Sequence, residues 1–390
     1  MTRATFNPDG DIAAICGYTP MQIHPMAVTD RNTWNATLAL MPYAHVLQTW
    51  EWGEFKAATT GWKPERIAYM HRGEAVAMAQ VLTRQEGPFR IMYVPKGPAL
   101  DYTNQPLRLA VIEALKRHAL ERGAIFIKID PDVVIGVGVP GTPEAYEEPL
   151  GQQIAAEWGQ AGWRFSREQV QFRNSVIVDL RRSEEELLAA MKQKTRYNVR
   201  LAARRGVEIR FGSADDLDLL YRLYEETARR DDFVIRPLEY YRRAWGDFMR
   251  AGLAQPIIAE YRGKAIAHVI IFGFGKRAWY FYGASSDEER NRMPTYALQW
   301  EAMRWARAQK MIVYDFWGAP DDFHDENDPL AGVFRFKAGF GGVVVRRIGA
   351  WDYPARPALY TAYTRAMPAV LGVMRSVARR RLRQGSHQTA

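Results

Sequence analysis

Ile67-Ala-Tyr-Met-His-Arg-Gly-Glu-Ala-Val-Ala-Met-Ala79 decides the fold, because the chain repeats it as Ile258-Ala-Glu-Tyr-Arg-Gly-Lys-Ala-Ile-Ala-His-Val-Ile270. Each stretch sets apolar residues on both sides of an Arg-Gly turn, at Arg72-Gly73 and Arg262-Gly263, which is the signature of a β-hairpin. The sequel repeats as well. After the first hairpin the pattern predicts a strand over Arg90–Val94, a helix over Leu107–Arg122 and a strand over Ile125–Asp130. After the second it predicts a strand over Ala278–Tyr282, a helix across Tyr296–Gln309 and a strand over Ile312–Phe316. Strand–strand–helix–strand, twice, predicts an α/β protein of two like units with a groove between them.

A chain of 390 residues can bury a large core and favours two or more domains. Hydrophobic residues are 47% and charged residues 25%, ordinary values for a soluble globular protein. Cys16 is the only cysteine, which excludes an intrachain disulfide and a thiolate metal site and fits a reducing cytosol. The start of the chain lacks a basic segment followed by an apolar run, and no stretch reaches the ~18 apolar residues of a spanning helix. We therefore expect a cytoplasmic protein with neither signal peptide nor membrane span.

The formal net charge of +9 leaves two readings, an anionic partner or a merely basic surface. The excess is clustered. Ser183-Glu-Glu-Glu186 is a capping box that opens a helix, Leu188, Met191, Thr195, Val199 and Ala202 supply its buried stripe, and Gly206 closes it. Lys192, Arg196, Arg200 and Arg204 then recur at intervals of four, with Lys194 and Arg205 beside them. Each like-charged pair at that spacing costs a helix roughly 0.2–0.5 kcal/mol, so the column is either a solvated face near acidic loops or a binding face for phosphates. A second basic cluster, Arg379-Arg-Arg-Leu-Arg383, follows an apolar segment from Leu359 to Met374. It suits peripheral contact with an anionic membrane or a basic tail behind a core-packed helix.

Several chemistries lack their motifs: there is no phosphate loop of the Gly-x-x-x-x-Gly-Lys type, no His-Glu-x-x-His zinc helix and no Gly-x-Ser-x-Gly elbow. His268 lies in an apolar strand and reads as a core residue. His324 lies in the acidic loop Asp321–Asp328, which lacks EF-hand spacing and reads as a polar loop rather than a metal site. No metal and no cofactor are expected.

The repeated unit resembles the Gcn5-related N-acetyltransferase (GNAT) fold, in which a Gly-rich turn at a helix N-terminus holds the pyrophosphate of acetyl-CoA. Neither Val94-Pro-Lys-Gly-Pro-Ala-Leu-Asp101 nor Tyr282-Gly-Ala-Ser-Ser-Asp-Glu-Glu-Arg-Asn-Arg-Met-Pro294 offers that turn, since prolines remove donors and the acidic run repels phosphate. Gly332-Val-Phe-Arg-Phe-Lys-Ala-Gly-Phe-Gly-Gly342 points elsewhere. Taken with Trp52-Gly-Glu-Phe-Lys56, Pro95-Lys-Gly-Pro98, Lys192-Gln-Lys-Thr-Arg-Tyr-Asn-Val-Arg200, Arg236-Pro-Leu-Glu-Tyr-Tyr241 and Tyr282-Gly-Ala-Ser285, it resembles the FemABX peptidyltransferases over about residues 44–350. With Gly206 running straight into a strand over Val207–Phe211, the resemblance is to compact members without a helical arm.

That resemblance implies tandem duplicated GNAT-like domains, the first formed by residues 1–176 with 347–390 and the second by 177–346. It implies an aminoacyltransferase that moves an amino acid from aminoacyl-tRNA to the third-position side-chain amine of a peptidoglycan stem peptide, carried on UDP-MurNAc-pentapeptide or lipid II. By resemblance Lys337 is the cation at the reacting carbonyl and Phe336 lines the acceptor end of the tRNA. Lys56, Arg236, Tyr240 and Tyr282 hold the precursor, and Lys192, Arg196, Arg200 and Arg204 would meet tRNA or precursor phosphates. Two alternatives stay open: a GNAT-type acyltransferase with a thioester donor, and a non-catalytic tRNA- or membrane-binding module on the same scaffold.

Overall fold

The computed structural model describes residues 21–365. They form two sheets. The first contains β1 (His24–Ala27), β2 (Lys63–His71), β3 (Glu74–Glu86), β4 (Phe89–Val94), β5 (Ala99–Leu100), β6 (Phe126–Ile129), β9 (Arg164–Phe165) and β17 (Trp351–Tyr353), ordered β1-β2-β3-β4-β6-β17-β9 with β5 on β3. The second contains β7 (Val134–Val137), β8 (Tyr146–Glu147), β10 (Asn174–Asp179), β11 (Glu208–Phe211), β12 (Ala254–Tyr261), β13 (Lys264–Phe274), β14 (Arg277–Ser285), β15 (Val313–Asp315) and β16 (Val343–Arg347). Its order is β11-β12-β13-β14-β15-β10-β16-β7-β8.

The helices that matter below are α1 (Arg31–Leu40), α2 (Trp50–Thr60), α3 (Gln105–Glu121), α4 (Pro149–Gln160), α5 (Glu184–Ala190), α6 (Gln193–Arg204), α7 (Leu217–Arg230), α8 (Leu238–Tyr241), α9 (Pro294–Ala308) and α10 (Ala331–Lys337).

The duplication read from the hairpins is visible in detail. Both turns place two successive residues at positive φ, Arg72 and Gly73 at 50° and 87°, Arg262 and Gly263 at 51° and 73°, the geometry that matches the twist of a tight hairpin. Both hairpins slip register at the same place relative to the turn, between Tyr69 and Met70 and between Ala259 and Glu260. In each unit a helix then carries the chain to a parallel neighbour, α3 from β4 to β6 and α9 from β14 to β15.

The two units exchange strands. β17 follows β16 in sequence yet pairs with β6 of the first sheet, and β7 follows β6 yet pairs with β16 of the second and carries β8 on its far edge. Residues 134–147 therefore belong to the second sheet, although a division at residue 176 places them in the first unit. Sequence division missed this because a two-strand excursion leaves no break in composition. A third core lies between the units: Trp34, Leu47, Phe55 and Met78 from one side meet Leu220, Trp245, Phe272 and Trp279 from the other.

The helix expected from Ser183 to Gly206 is broken. The capping box of Ser183 and Glu186 forms, but Met191 and Lys192 turn extended and α6 restarts at Gln193. The Lys192 N–H donates to the Gly339 carbonyl, 2.9 Å, and the Arg196 guanidinium takes the Leu188, Ala189 and Met191 carbonyls at 3.1–3.4 Å. These contacts satisfy the groups that the break would leave orphaned. Only three residues, Arg205 to Val207, separate α6 from β11, so no helical arm is inserted there.

Residues 357–365 are helical. Tyr360 and Tyr363 from this segment are buried against Phe126, so its described part is packed on the first unit. The Arg379–Arg383 cluster lies outside the described residues. Among the described residues no helix is long and apolar enough to cross a membrane.

Candidate active site

In the second unit the parallel strand pair is shorter than in the first. β14 and β15 pair at only three positions, ending at Trp279 and Asp315. β14 continues to Ser285 with β13 as its one neighbour, while the other strand bends away through Phe316, Trp317 and Gly318. Ligands in open α/β sheets favour such a gap at the carboxyl ends of strands. Trp317 sits at φ 50° and Gly318 at φ 89°, a left-handed corner that costs a tryptophan free energy and needs outside support. Asp315 Oδ1 accepts from the Trp317 N–H at 2.9 Å, and the Trp317 ring packs on Phe281, centroids 4.6 Å apart.

Lys337 supplies the remaining support. It is the last residue of the short helix α10, only 4% exposed, and its Nζ donates to the Trp317 carbonyl at 2.6 Å and the Gly318 carbonyl at 2.8 Å. Tyr280 of β14 presents its ring 5.9 Å away. Burial lowers the Lys337 ammonium to about 8, against the pull of Asp315 in the opposite direction. An ammonium has three donors; among the described residues two are engaged. Phe336, its neighbour, is half-buried and packs edge-on against Tyr296 and Phe340, at 5.0 and 5.2 Å. Those contacts tie Phe336 to the core of the second unit.

The other four candidates come together where the units meet. Lys56 on α2 lies over the rings of Trp52 and Phe55, at 4.7 and 5.0 Å. Phe55 meets Tyr240 edge-on at 5.1 Å, and Arg236 lies 5.8 Å over the Tyr240 ring. Tyr282 closes the group against Tyr241 and Trp245. Burial, then repulsion from Arg236 and Arg84, lowers Lys56 to about 8. Arg236 is exposed, and among the described residues no carboxylate pairs with it: Glu239 faces Arg242 and Asp231 faces Arg230. Of these cations Arg84 pairs with Glu86, while Lys56 and Arg236 have no carboxylate partner among the described residues.

Lys56 also lines a cleft of about 240 Å³ walled by Trp52, Trp62, Arg84, Tyr93 and Tyr363. Arg84 stacks on Trp62 at 4.6 Å. Sequence reasoning missed Trp62, Arg84, Tyr93 and Tyr363 as lining residues, because they come from a loop, two strands and the C-terminal helix that only the fold brings together. Asp101, whose carboxylate accepts from the Thr103 N–H at 2.9 Å, is occupied in its own turn.

A buried ion network, also invisible in sequence, joins the units beside Lys337. Arg347 of β16 reaches Asp315 at 2.5 Å and Asp132 at 3.1 Å, and Asp132 meets Lys96 at 3.1 Å and Arg277 at 2.8 Å. Burial alone would raise the Asp132 carboxyl; Arg347, Lys96 and their neighbours hold it far below its usual range. Asp315, which orients Trp317, is thereby fixed by Arg347, which Asp132 holds in turn. Of the basic column, Lys192, Arg200 and Arg204 are exposed on α6 or at its start, while Arg196 is committed to the carbonyls of the helix break. Among the described residues there is no group of side chains arranged to hold a metal ion.

The sequence profile of the FemAB family matches residues 31–251 and 249–367. The chain belongs to the FemAB family. The lipid II:glycine glycyltransferase of Staphylococcus saprophyticus is 25% identical over 400 residues, covering 86% of this chain and 94% of that protein. The Staphylococcus aureus protein of the same name is 25% identical over 397 residues, covering 84% and 92%. In three dimensions the crystal structure of FemX superposes with a TM-score of 0.78 at 22% identity, covering 87% of this chain and 99% of that one. A tandem GNAT protein from the clavulanic acid biosynthesis pathway superposes at 0.50 with 12% identity, covering 86% and 99%. The FemAB member described here thus has a duplicated GNAT-like fold.

Proposed function

We propose that this FemAB-family aminoacyltransferase moves an amino acid from aminoacyl-tRNA to the side-chain amine at the third position of a peptidoglycan stem peptide, extending the interpeptide bridge. The acceptor is lipid II or UDP-MurNAc-pentapeptide, and the site of action is the cytoplasm, at the inner face of the membrane when the acceptor is lipid-linked. The observation that carries the reading is Lys337, a buried ammonium in the gap between β14 and β15 with a donor to spare. In the reaction the amine nitrogen bonds to the ester carbonyl carbon, negative charge gathers on the carbonyl oxygen, and the bond to the tRNA ribose oxygen breaks. The proton lost by the amine passes to that ribose oxygen through substrate groups or water. A fixed donor to the developing oxyanion contributes about 3–4 kcal/mol, and holding amine and ester together supplies much of the rest. Lys56 and Arg236 suit the precursor's phosphates, with Tyr240 and Tyr282 beside its uridine or sugar faces.

A thioester donor finds little support in the two turns where CoA would sit. The Lys96 N–H is spent on Asp130 at 2.5 Å and the Gly97 N–H on Val94; in the second unit Ser286, Asp287 and Glu288 donate to Ile266, Glu226 and Ser286. The decisive assay mixes purified protein with charged tRNA and each precursor and follows the mass of the stem peptide. Product from wild type that is lost in Lys337→Ala supports the proposal; equal rates in the two proteins refute the role of Lys337, and saturable binding of CoA esters with acyl transfer would replace the donor.

A further inference from the structure

We infer that the outer face of α6 is a docking surface for single-stranded RNA, with Tyr197 as its base-stacking residue. The inference rests on the reading that the donor is a tRNA, and assigns where the unpaired part of that donor lies. Tyr197 is 53% exposed, on the face of α6 turned away from the core. Arg204 lies over its ring at 5.4 Å, and Lys194 and Arg200 flank it one turn to either side, both exposed. Among the described residues neither these cations nor Lys192 pair with a carboxylate. Of the acids of α5, Glu184 meets Arg304 and Arg307, Glu186 closes the capping box, and the exposed Glu185 pairs with none of these cations. Uncompensated like charges along one helix face are unfavourable without a polyanion. An aromatic ring among them is the arrangement that tracks a single strand, cations on phosphates and ring on a base.

The surface leads to the reaction centre. Lys192, at the N-terminal end of α6, donates its N–H to the Gly339 carbonyl, and Thr195 packs on Gly339, two residues beyond Lys337. A strand laid along α6, about 18 Å of helix, therefore ends at the turn that carries the buried ammonium. A bilayer is the poorer occupant, because the apolar side of α6, Thr195, Val199 and Ala202, is already buried in the second unit, whereas a membrane-lying helix needs that side free.

Binding is measured by fluorescence anisotropy with full-length protein, using deacylated tRNA, the same tRNA trimmed of its unpaired 3′ nucleotides, and vesicles of anionic phospholipid. Tyr197→Ala is expected to weaken binding of the intact tRNA about tenfold and of the trimmed tRNA hardly at all, with Tyr197→Trp restoring it. The double variant Arg200→Ala/Arg204→Ala is expected to flatten the log affinity against log salt line by about 1.4 units, two single-strand phosphates. Because the Tyr197 side chain has Arg204 as its described ring partner, unchanged thermal unfolding shows that the variants fold. Intact and trimmed tRNA weakened alike by Tyr197→Ala, or no loss at all, overturns the stacking role. An unchanged salt slope in the double variant overturns the surface, as does tight vesicle binding that the double variant abolishes without loss of tRNA affinity. Transfer is scored separately: normal transfer with an unchanged KM for charged tRNA in both variants sinks this inference alone. Wild type that binds tRNA as described but transfers nothing sinks the proposed function alone.

Discussion

The ends of the two parallel strand pairs, equivalent by duplication, are finished in opposite ways. In the first unit β4 and β6 stay paired to Val94 and Ile129, and the corner beyond them is sealed. The Asp130 carboxylate accepts from the Tyr93 hydroxyl at 2.7 Å and the Lys96 N–H at 2.5 Å, and the Lys96 ammonium meets Asp132 at 3.1 Å. In the second unit β14 and β15 separate early, and the buried lysine there, Lys337, meets carbonyl oxygens rather than a carboxylate. Lys96 is neutralised by an aspartate in direct contact, whereas Lys337 touches carbonyl dipoles and feels Asp315 without pairing with it. The duplication thus yields one corner held by a lysine–aspartate pair and one held by an ammonium on two carbonyls.

Substitutions can break this contrast. Arg347→Met should be the most damaging, costing about 3–5 kcal/mol of stability, because it strips both Asp315 and Asp132 of a buried partner; urea unfolding measures it. Next, Lys337→Ala should slow aminoacyl transfer by about 100- to 1000-fold without a comparable loss of stability, so that rate and stability separate between the two corners. If instead the variant unfolds as readily as Arg347→Met, the ammonium is a brace and the contrast collapses. Smaller still, Lys56→Met should raise the KM for the acceptor about tenfold or somewhat more while kcat is kept, the loss of one charge-assisted contact.

The mildest test is pH. Lys337 titrates near 8 in the fold against about 10.4 in an open chain, so its charged, active form declines as pH rises through 8. At saturating acceptor, kcat should fall about tenfold from pH 8 to pH 9 or just beyond. Stability runs the other way. Between 8 and about 10.4 the unfolded chain holds the proton that the native state has lost, so this residue contributes more to stability as pH rises across that window. Lys337→Met should remove both trends.

How far the residues alone carried the reading differs from element to element. The hairpins at Arg72-Gly73 and Arg262-Gly263, α3 and α9 were legible because their signals are local: a turn that needs positive φ, and apolar residues at helical spacing. The capping box of Ser183 was legible for the same reason. The helix break at Met191–Lys192 was not, since it depends on the Gly339 carbonyl and on Arg196, contacts that no periodicity encodes. Lys56, Arg236, Tyr240 and Tyr282 were picked out by motif resemblance, and the fold brings them together. Arg84 and Trp62 carried no motif and became visible only as neighbours in the fold.

Two like units, their hairpins and their helices follow from local patterning, which acts over a few residues and is written in them. Which strands cross between the sheets, which lysine meets a carboxylate and which meets carbonyls, and that Asp132 and Asp315 share Arg347 were decided by packing. Those outcomes depend on burial and on charges far apart in the chain, whose energies exist only once water has been excluded between them.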